Sequence, residues 1–100
     1  MAYKVIWSAE ARHAYLSVID DLHTEWSEKE IINFVTRVDY KLDLLCTQPN
    51  LGAVHKRKYN IYKTVIHKHT SLVYHVKPIK KEIVLLTFWD SRQNPSKLKH

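Results

Sequence analysis

The spacing of apolar residues changes once along this chain, close to Gly52, and that change limits the folds open to it. Before Pro49, apolar side chains recur every three or four positions, which is the period of a helix buried along one side. After Gly52 they alternate with polar residues or run together in short segments rich in β-branched and aromatic residues, which is typical of strands. The sequence therefore predicts an α+β fold whose helices precede most of its strands.

The start of the chain predicts a strand that leads into a helix. Residues 3–7 are mostly aromatic or β-branched, and Ser8 follows them as a good N-cap with Glu10 in the first turn. From Ala9 onward, apolar residues keep helical spacing. We expect the strand at residues 3–7 and a helix that ends at residue 25 or 26.

A second helix is predicted directly after the first. Ser27 and Glu30 have the spacing of a capping box, in which the serine oxygen accepts from the third helical amide and the glutamate carboxylate accepts from the amide of the cap. Helical spacing then continues for about five turns, until Pro49 and Gly52 end it. Two helices joined this closely are expected to form an antiparallel hairpin.

Four β-rich segments follow Gly52, with turns predicted at residues 69–71 and 77–81. The segments span residues 54–59, 61–68, 72–76 and 82–89. Because their connections are short, they are expected to form an antiparallel meander of three or four strands. The last segment is apolar on both sides, which predicts a central strand. A chain of this length seldom divides, so residues 1–100 form one domain in which the helix hairpin covers one sheet face.

The alternation in the third β-rich segment predicts which of its side chains leave the core. Leu72, Tyr74 and Val76 share one side of the strand, and His75 and Lys77 lie on the other. We expect the first set to pack on the helices, because an antiparallel sheet commonly has one covered face and one open face. His75 and Lys77 are therefore expected to be exposed.

The two halves of the chain carry opposite net charge. Residues 1–50 hold five lysines and arginines against eight acidic residues, whereas residues 51–100 hold eleven against two. The basic half favours a polyanionic partner, such as nucleic acid, a nucleoprotein or an acidic protein segment. A solvated basic surface is the alternative.

The cysteine and histidine content argues against disulfides and metal ions. Cys46 is the single cysteine, which excludes an internal disulfide and fits the cytoplasm. His67 and His69 would share one face of a strand, but without a third ligand they predict a poor metal site. The sequence shows neither a signal peptide nor a run of about 18 apolar residues, so we expect neither export nor a membrane span.

The order β-α-α-β-β-β in a chain of 100 residues resembles the ParE/RelE superfamily of toxins from type II toxin–antitoxin systems. The resemblance extends over essentially the whole chain, and the order and spacing of several motifs carry it. These motifs are Val5-Ile6-Trp7-Ser8 with Ala11, Leu44-Leu45-Cys46-Thr47-Gln48-Pro49 with Gly52, Leu72-Val73-Tyr74, and the segment from Glu82 to Pro95, where Trp89-Asp90-Ser91-Arg92 replaces the His-x-Arg-Arg ending of many ParE-type members.

This resemblance implies a toxin that arrests growth, needs no cofactor and is neutralised by a cognate antitoxin in a hetero-oligomer. In the family, the ParE-like branch blocks DNA gyrase without being a hydrolase, and the RelE-like branch cleaves messenger RNA in the ribosome. Cleavage of the RelE kind uses the 2′-hydroxyl as nucleophile, so the site must deprotonate it, stabilise the phosphate charge and protonate the leaving oxygen. A non-toxic nucleic-acid-binding module is a third hypothesis.

The resemblance also assigns candidate roles to basic residues. The run from Lys56 to Lys58 falls where RelE-like members carry basic strand residues, which implies a role in clamping phosphate. If the chain is a ribonuclease, His75 and Arg57 are its candidate catalytic residues, since histidine titrates near neutral pH. The candidate surface for nucleic acid or another target comprises Lys56, Arg57, Lys58, Lys77 and Arg92.

Two departures from the family's pattern favour the ParE-like activity. Ser71 stands where many RelE-like members have an arginine just before the Leu-x-Tyr strand, and the tyrosine or histidine near the family's chain end is not clearly matched. Arg92 follows the last strand, where it is placed to clamp a phosphate or carboxylate or to pair with Asp90. Trp89 is predicted to be core. We therefore predict a non-hydrolytic gyrase poison, with the ribonuclease as the alternative.

Overall fold

A computed structural model describes residues 2–25 and 27–90, in which two helices pack on a five-stranded sheet. The elements are β1 (Lys4–Trp7), α1 (Ala9–Glu25), α2 (Glu28–Thr47), β2 (Ala53–Lys56), a 3₁₀ turn (Arg57–Tyr59), β3 (Ile61–His67), β4 (Thr70–Lys77) and β5 (Glu82–Asp90). The strand order is β1-β5-β4-β3-β2, with β1 parallel to β5 and every other pair antiparallel. The predicted α+β fold, with its N-terminal strand, two helices and antiparallel meander, is confirmed.

Ser8 caps α1 as predicted and also ties the helix to the sheet. The amide of Ala11 donates to Ser8 Oγ at 3.0 Å, which satisfies one of the unpaired amides at the start of the helix. The Ser8 hydroxyl donates in turn to the carbonyl oxygen of Leu86 in β5 at 3.2 Å. One short side chain therefore fixes both the start of α1 and its position against β5.

The predicted capping box at the start of α2 is wrong in its side chains. Ser27 occupies the N-cap but makes no side-chain cap bond; only its carbonyl accepts, from the amide of Glu30 at 3.0 Å. The Glu30 carboxylate instead reaches the end of β3, where Oε2 lies 3.1 Å from both His67 Nε2 and Lys68 Nζ. A bond to an ammonium group is stronger than one to a neutral amide, so the carboxylate contacts the sheet.

This contact, here called the Glu30 clasp, predicts a pH dependence of stability. The hydrogen bond from Lys68, followed by that from His67, lowers the pKa of the Glu30 carboxyl below its ordinary value of 4.5. Such a carboxyl stabilises the folded chain above its unfolded-state pKa, and this contribution is lost as the pH falls through the folded-state pKa. We expect Glu30→Gln to lose less stability than the wild type when the pH falls from about 6 to 3, as measured by urea unfolding.

Glu28→Gln is the matched control for the clasp, because Glu28 lies in the same first turn of α2 and is exposed. It is expected to keep the wild-type dependence of the urea midpoint on pH. Identical pH profiles for the wild type and Glu30→Gln would show that the clasp does not contribute to folding stability.

The core lies between the helix hairpin and one face of the sheet, and aromatic rings form its centre. Phe34 of α2, Tyr15 of α1 and Phe88 of β5 lie with ring centroids between 5.5 and 6.3 Å apart. Trp7 of β1 stacks on Phe88 at 5.8 Å. This aromatic cluster joins both helices to the two strands at one side of the sheet. The predicted inward residues of β4, which are Leu72, Tyr74 and Val76, are buried in the same core.

A bulge in β5 explains why that strand is apolar on both sides. The pairing with β4 skips Leu86, which is an extra residue in β5. After the bulge, Phe88 lies on the same side of the sheet as Leu85, and both belong to the helix-side core. β5 has a neighbour on each edge, which confirms the prediction of a central strand.

Two predicted boundaries among the strands are wrong. The strand predicted at residues 54–59 ends at Lys56, because the chain turns in the 3₁₀ segment so that Lys56 can pair with Ile61. The turn predicted at residues 69–71 lies earlier, at Lys68 and His69, where Lys68 has a φ of 48°. The tight two-residue connection follows from the direct pairing of the strand residues on either side of it.

Candidate functional site

The face of the sheet opposite the helices, here called the outer face, holds the predicted site residues of β4. Residues directly opposite each other on paired strands have side chains on the same side of the sheet. His75 pairs with Ile61 of β3 and Val84 of β5, and Lys77 pairs with Glu82. His75 and Lys77 both lie on the face opposite the helices, as predicted, but both are half-buried and not fully exposed. The outer face includes Lys4, Ile6, Ile61, Lys63, Val73, His75, Lys77, Glu82 and Val84.

An open cavity of about 380 Å³ lies at the end of β4, and His75 and Lys77 line it together. We call it the loop cavity, because its other walls are the connection before β3 and the β4–β5 loop. Its remaining lining residues are Asn60, Val76, Pro78, Ile79 and Lys80. The lining residues therefore include one histidine, one asparagine and two lysines, and none of the described lining residues is acidic.

The His75 ring is held largely uncharged at neutral pH. Burial, and then the neighbouring Lys77 ammonium, lower the pKa of the His75 imidazole below its ordinary value of 6.5. A neutral imidazole has one N–H donor and one acceptor nitrogen. The ring can therefore accept a proton from a bound group, which is what a general base requires.

The backbone around Asn60 fixes one wall of the loop cavity. Asn60 has a φ of 55°, a left-handed conformation that asparagine adopts more readily than most residues. Its carbonyl accepts a hydrogen bond from the amide of Val76 at 3.0 Å. The end of the 3₁₀ turn is therefore attached to β4 beside His75.

The basic run predicted to clamp phosphate lies at the edge of the sheet. β2 ends at Lys56, and Arg57 and Lys58 belong to the 3₁₀ turn; all three are exposed. The Lys58 ammonium lies 5.6 Å from the centre of the Tyr59 ring. None of the three lines the loop cavity, so the structure does not place Arg57 in the cavity that holds His75.

Two basic residues of this region were missed by sequence reasoning. Lys63 lies on the outer face opposite Val73 and is half-buried. Its signal was the alternation of Ile61, Lys63 and Val65 along β3. Lys80 lines the loop cavity. No sequence pattern predicted this position, because it depends on the path of the β4–β5 loop and not on strand alternation.

Three predicted positions remain, which are Ser71, Trp89 and Arg92. Ser71 is 4% exposed and pairs with Trp89. Because a serine stands directly before Leu72, this position carries no positive charge. Trp89, predicted to be core, is half-buried and does not belong to the helix-side core. Arg92 lies outside the described residues.

The predicted shared face of His67 and His69 is wrong. His67 ends β3 and is buried beside Glu30, while His69 is exposed in the turn. Within the part of the chain that the structure describes, no three His, Cys, Asp or Glu side chains come close enough to hold a metal ion. None of the helices described is long and apolar enough to cross a membrane.

Neither protein-family models nor curated proteins match this sequence, but solved structures do match its fold. The chromosomal ParDE toxin–antitoxin system of P. aeruginosa superposes with a TM-score of 0.68 at 16% identity, over 87% of this chain and 94% of that one. The isolated RelE toxin of E. coli gives 0.64 at 13%, over 96% and 92%. The RelBE2 toxin–antitoxin complex of Mycobacterium tuberculosis gives 0.59 at 13%, over 88% and 96%. This chain therefore has the fold that the ParE and RelE toxins share.

Proposed function

We propose that this chain is the toxin of a type II toxin–antitoxin module, acting in the cytoplasm and held inactive by a cognate antitoxin. The observation that carries the proposal is the fold match. The similar structures are named as a toxin or as toxin–antitoxin assemblies, and the superpositions cover at least 87% of this chain and 92% of each of theirs. The names ParDE and RelBE2 support an antitoxin as the direct partner.

The charge distribution supports a polyanionic ligand for the sheet. Residues 53–90 hold eight lysines and arginines against two acidic residues. These cations include the exposed edge from Lys56 to Lys58 and the half-buried Lys63 and Lys77 of the outer face. An acidic antitoxin segment has the charge to cover this surface and so to mask it from the target.

For the target, we favour DNA gyrase, blocked without hydrolysis. Ser71 supports this choice, because a buried serine stands where the RelE-like branch has an arginine. The exposed Arg57 does not line the loop cavity that holds His75, which argues against a compact acid–base site made of these two residues. A surface that binds a target through charge needs no such site.

The second candidate is a ribosome-dependent endoribonuclease, which one observation favours. His75 lies in the loop cavity beside Lys77, and its lowered pKa keeps the ring in the form that accepts a proton. A lysine beside such a base is placed to stabilise negative charge on a phosphate. In this candidate, His75 is the general base.

Induced expression without antitoxin tests the function, with growth, message integrity and the DNA-damage response read from the same culture. We expect arrest with DNA damage and intact messages. We expect Arg92→Ala to abolish arrest, while His75→Ala and the control Lys29→Ala leave it intact. Lys29 is exposed on α2.

Other outcomes contradict parts of this proposal. Arrest with cleaved messages, lost in His75→Ala and kept in Arg92→Ala, would replace the gyrase target with messenger RNA. The absence of arrest, with folded protein present, would contradict the toxin itself. Salt-sensitive nucleic-acid binding in such a non-toxic chain would favour a binding module.

A further inference from the structure

We propose that the loop cavity is a binding site for a phosphate group, held by Lys77 and Lys80 and completed by hydrogen bonds from His75 and Asn60. The inference goes beyond the proposed function, because it gives a ligand chemistry to one part of the basic face that growth arrest through gyrase does not require. Phosphate binding itself is measurable on the chain alone.

The size and lining of the cavity fit a small anion with a group attached to it. A volume of about 380 Å³ lies within the usual range of small-molecule sites, and the cavity is open to solvent. Lys77 belongs to β4 and Lys80 to the β4–β5 loop, so the two lysines that line the cavity come from different elements. Hydrogen bonds from ammonium groups to a phosphate are about twice as strong as neutral ones.

The charges around the cavity leave it positive. His75 faces apolar partners across the sheet, which are Ile61 and Val84. On the outer face, Glu82 of β5 pairs directly with Lys77 and is the acidic residue nearest in the sheet, whereas Lys63 of β3 pairs with Val73, on the other side of His75. Two lysines, Lys77 and Lys80, therefore line the cavity with the histidine, and the nearest carboxylate in the sheet is the one opposite Lys77.

Lys81, the neighbour of Lys80, does not contribute to this site. Its ammonium lies 5.5 Å from the centre of the Tyr3 ring, and Tyr3 packs against the helix-side core. The two adjacent lysines of the β4–β5 loop therefore serve different surfaces, with Lys80 at the cavity. Lys81→Ala is consequently a close control for Lys80→Ala.

A bound anion changes the proton equilibrium of His75. Without ligand, burial is the larger cause that opposes protonation of the ring, and the Lys77 ammonium is the second. A phosphate between them reverses that effect, because an opposite charge nearby favours the charged imidazole. Anion binding is therefore coupled to proton uptake, and by linkage the affinity increases as the pH falls.

The test is titration of the full-length chain, at low salt, with inorganic phosphate, with sulfate and with an oligonucleotide lacking terminal phosphates. NMR of the histidine side chains identifies the bound site, and calorimetry gives the affinity. We expect the His75 signals to shift and the pKa of His75 to rise. We expect Lys77→Ala and Lys80→Ala each to weaken binding at least about tenfold, while Lys81→Ala and Lys29→Ala do not. Sulfate provides the pH profile, since its charge is constant between about pH 5 and pH 8.

Each outcome of the titration separates the possibilities. Oligonucleotide binding that depends on Lys77 and Lys80 supports the site with a nucleic-acid backbone as the source of the phosphate. Binding of inorganic phosphate alone supports the site with a free phosphate compound as its ligand. Unchanged His75 signals, or equal loss in Lys80→Ala and Lys81→Ala, would overturn the proposal. Because Lys80 is exposed in a loop, its removal leaves the fold intact. The absence of growth arrest would affect only the proposed toxin activity.

Discussion

Replacing Phe34 with alanine is expected to lower the free energy of unfolding by about 3–5 kcal/mol, the usual cost of removing a buried phenyl ring. Phe34 is 0% exposed and lies at the centre of the aromatic cluster. Its ring centroid lies 5.6 Å from that of Tyr15, 6.3 Å from that of Phe88 and 6.4 Å from that of His67. A domain of this size has about 5–15 kcal/mol of stability in total. Chemical unfolding by urea, followed by circular dichroism, measures the loss.

Tyr40→Ala is the matched control for Phe34→Ala. It removes an aromatic ring from the same helix, but Tyr40 is 65% exposed. We expect its effect to stay within about 0.5 kcal/mol, as for ordinary surface substitutions. Similar losses in the two variants would contradict the orientation of α2 described here.

The second large effect is expected at Gly52, where alanine should cost roughly 2–4 kcal/mol by combining overpacking with the loss of a part-buried hydrogen bond. A Cβ atom at Gly52 would lie 2.8 Å from the carbonyl oxygen of Lys63 and 2.8 Å from the Tyr74 hydroxyl. The Lys63 oxygen belongs to the backbone of β3 and cannot rotate away. Because the backbone of Gly52 is not left-handed, the constraint is this close approach.

The Tyr74 hydroxyl explains why the approach at Gly52 matters. It accepts from the Gly52 amide at 2.9 Å and donates to the carbonyl of Pro49 at 3.0 Å, so it holds the connection between α2 and β2. Burial, the larger cause, and the nearby Tyr62 raise the pKa of Tyr74, while the bond from Gly52 opposes that rise. The phenol therefore stays protonated and keeps both bonds.

A double-mutant cycle in urea unfolding separates the two contributions at this connection. Tyr74→Phe alone is expected to cost about 1–3 kcal/mol, because it leaves the Gly52 amide and the Pro49 carbonyl without this partner. Combined with Gly52→Ala, it should cost less than the sum of the two, since both act on the same bonds. Asn50→Ala, at an exposed position of the same connection, is the control. A Gly52→Ala variant as stable as Asn50→Ala would contradict the close approach.

The inward and outward sides of β4 were predictable because strand alternation is local. Leu72, Tyr74 and Val76 pack on the helices, and His75 and Lys77 lie on the outer face, as their positions in the sequence required. Strand alternation did not predict how exposed the side chains of the outer face are. Val73 is 0% exposed although it lies outside the helix-side core, so alternation predicted its side of the sheet and not its accessibility.

Glu30 had two possible partners, which were the cap amide that the motif predicts and the charged side chains at the end of β3. Ser27 and Glu30 have the spacing of a capping box, and α2 does begin at Glu28. The carboxylate nevertheless bonds to Lys68 and His67, which are far away in the sequence. Motif spacing predicted the start of the helix, because the backbone conformation is local, but it could not include a charged partner supplied by another element.

The sequence alone determined that one strand and two helices precede the remaining strands, where both helices start and which residues of β4 face inward, because each follows from side-chain spacing within a few turns or along one strand. Only the tertiary structure decided that β1 pairs in parallel with β5, that Leu86 forms a bulge, and that His75 and Lys77 share a cavity with Lys80. These features depend on backbone hydrogen bonds and contacts between residues distant along the chain. The same local pattern of apolar and polar residues is compatible with many pairings of distant strands, so it does not predict which pairing forms.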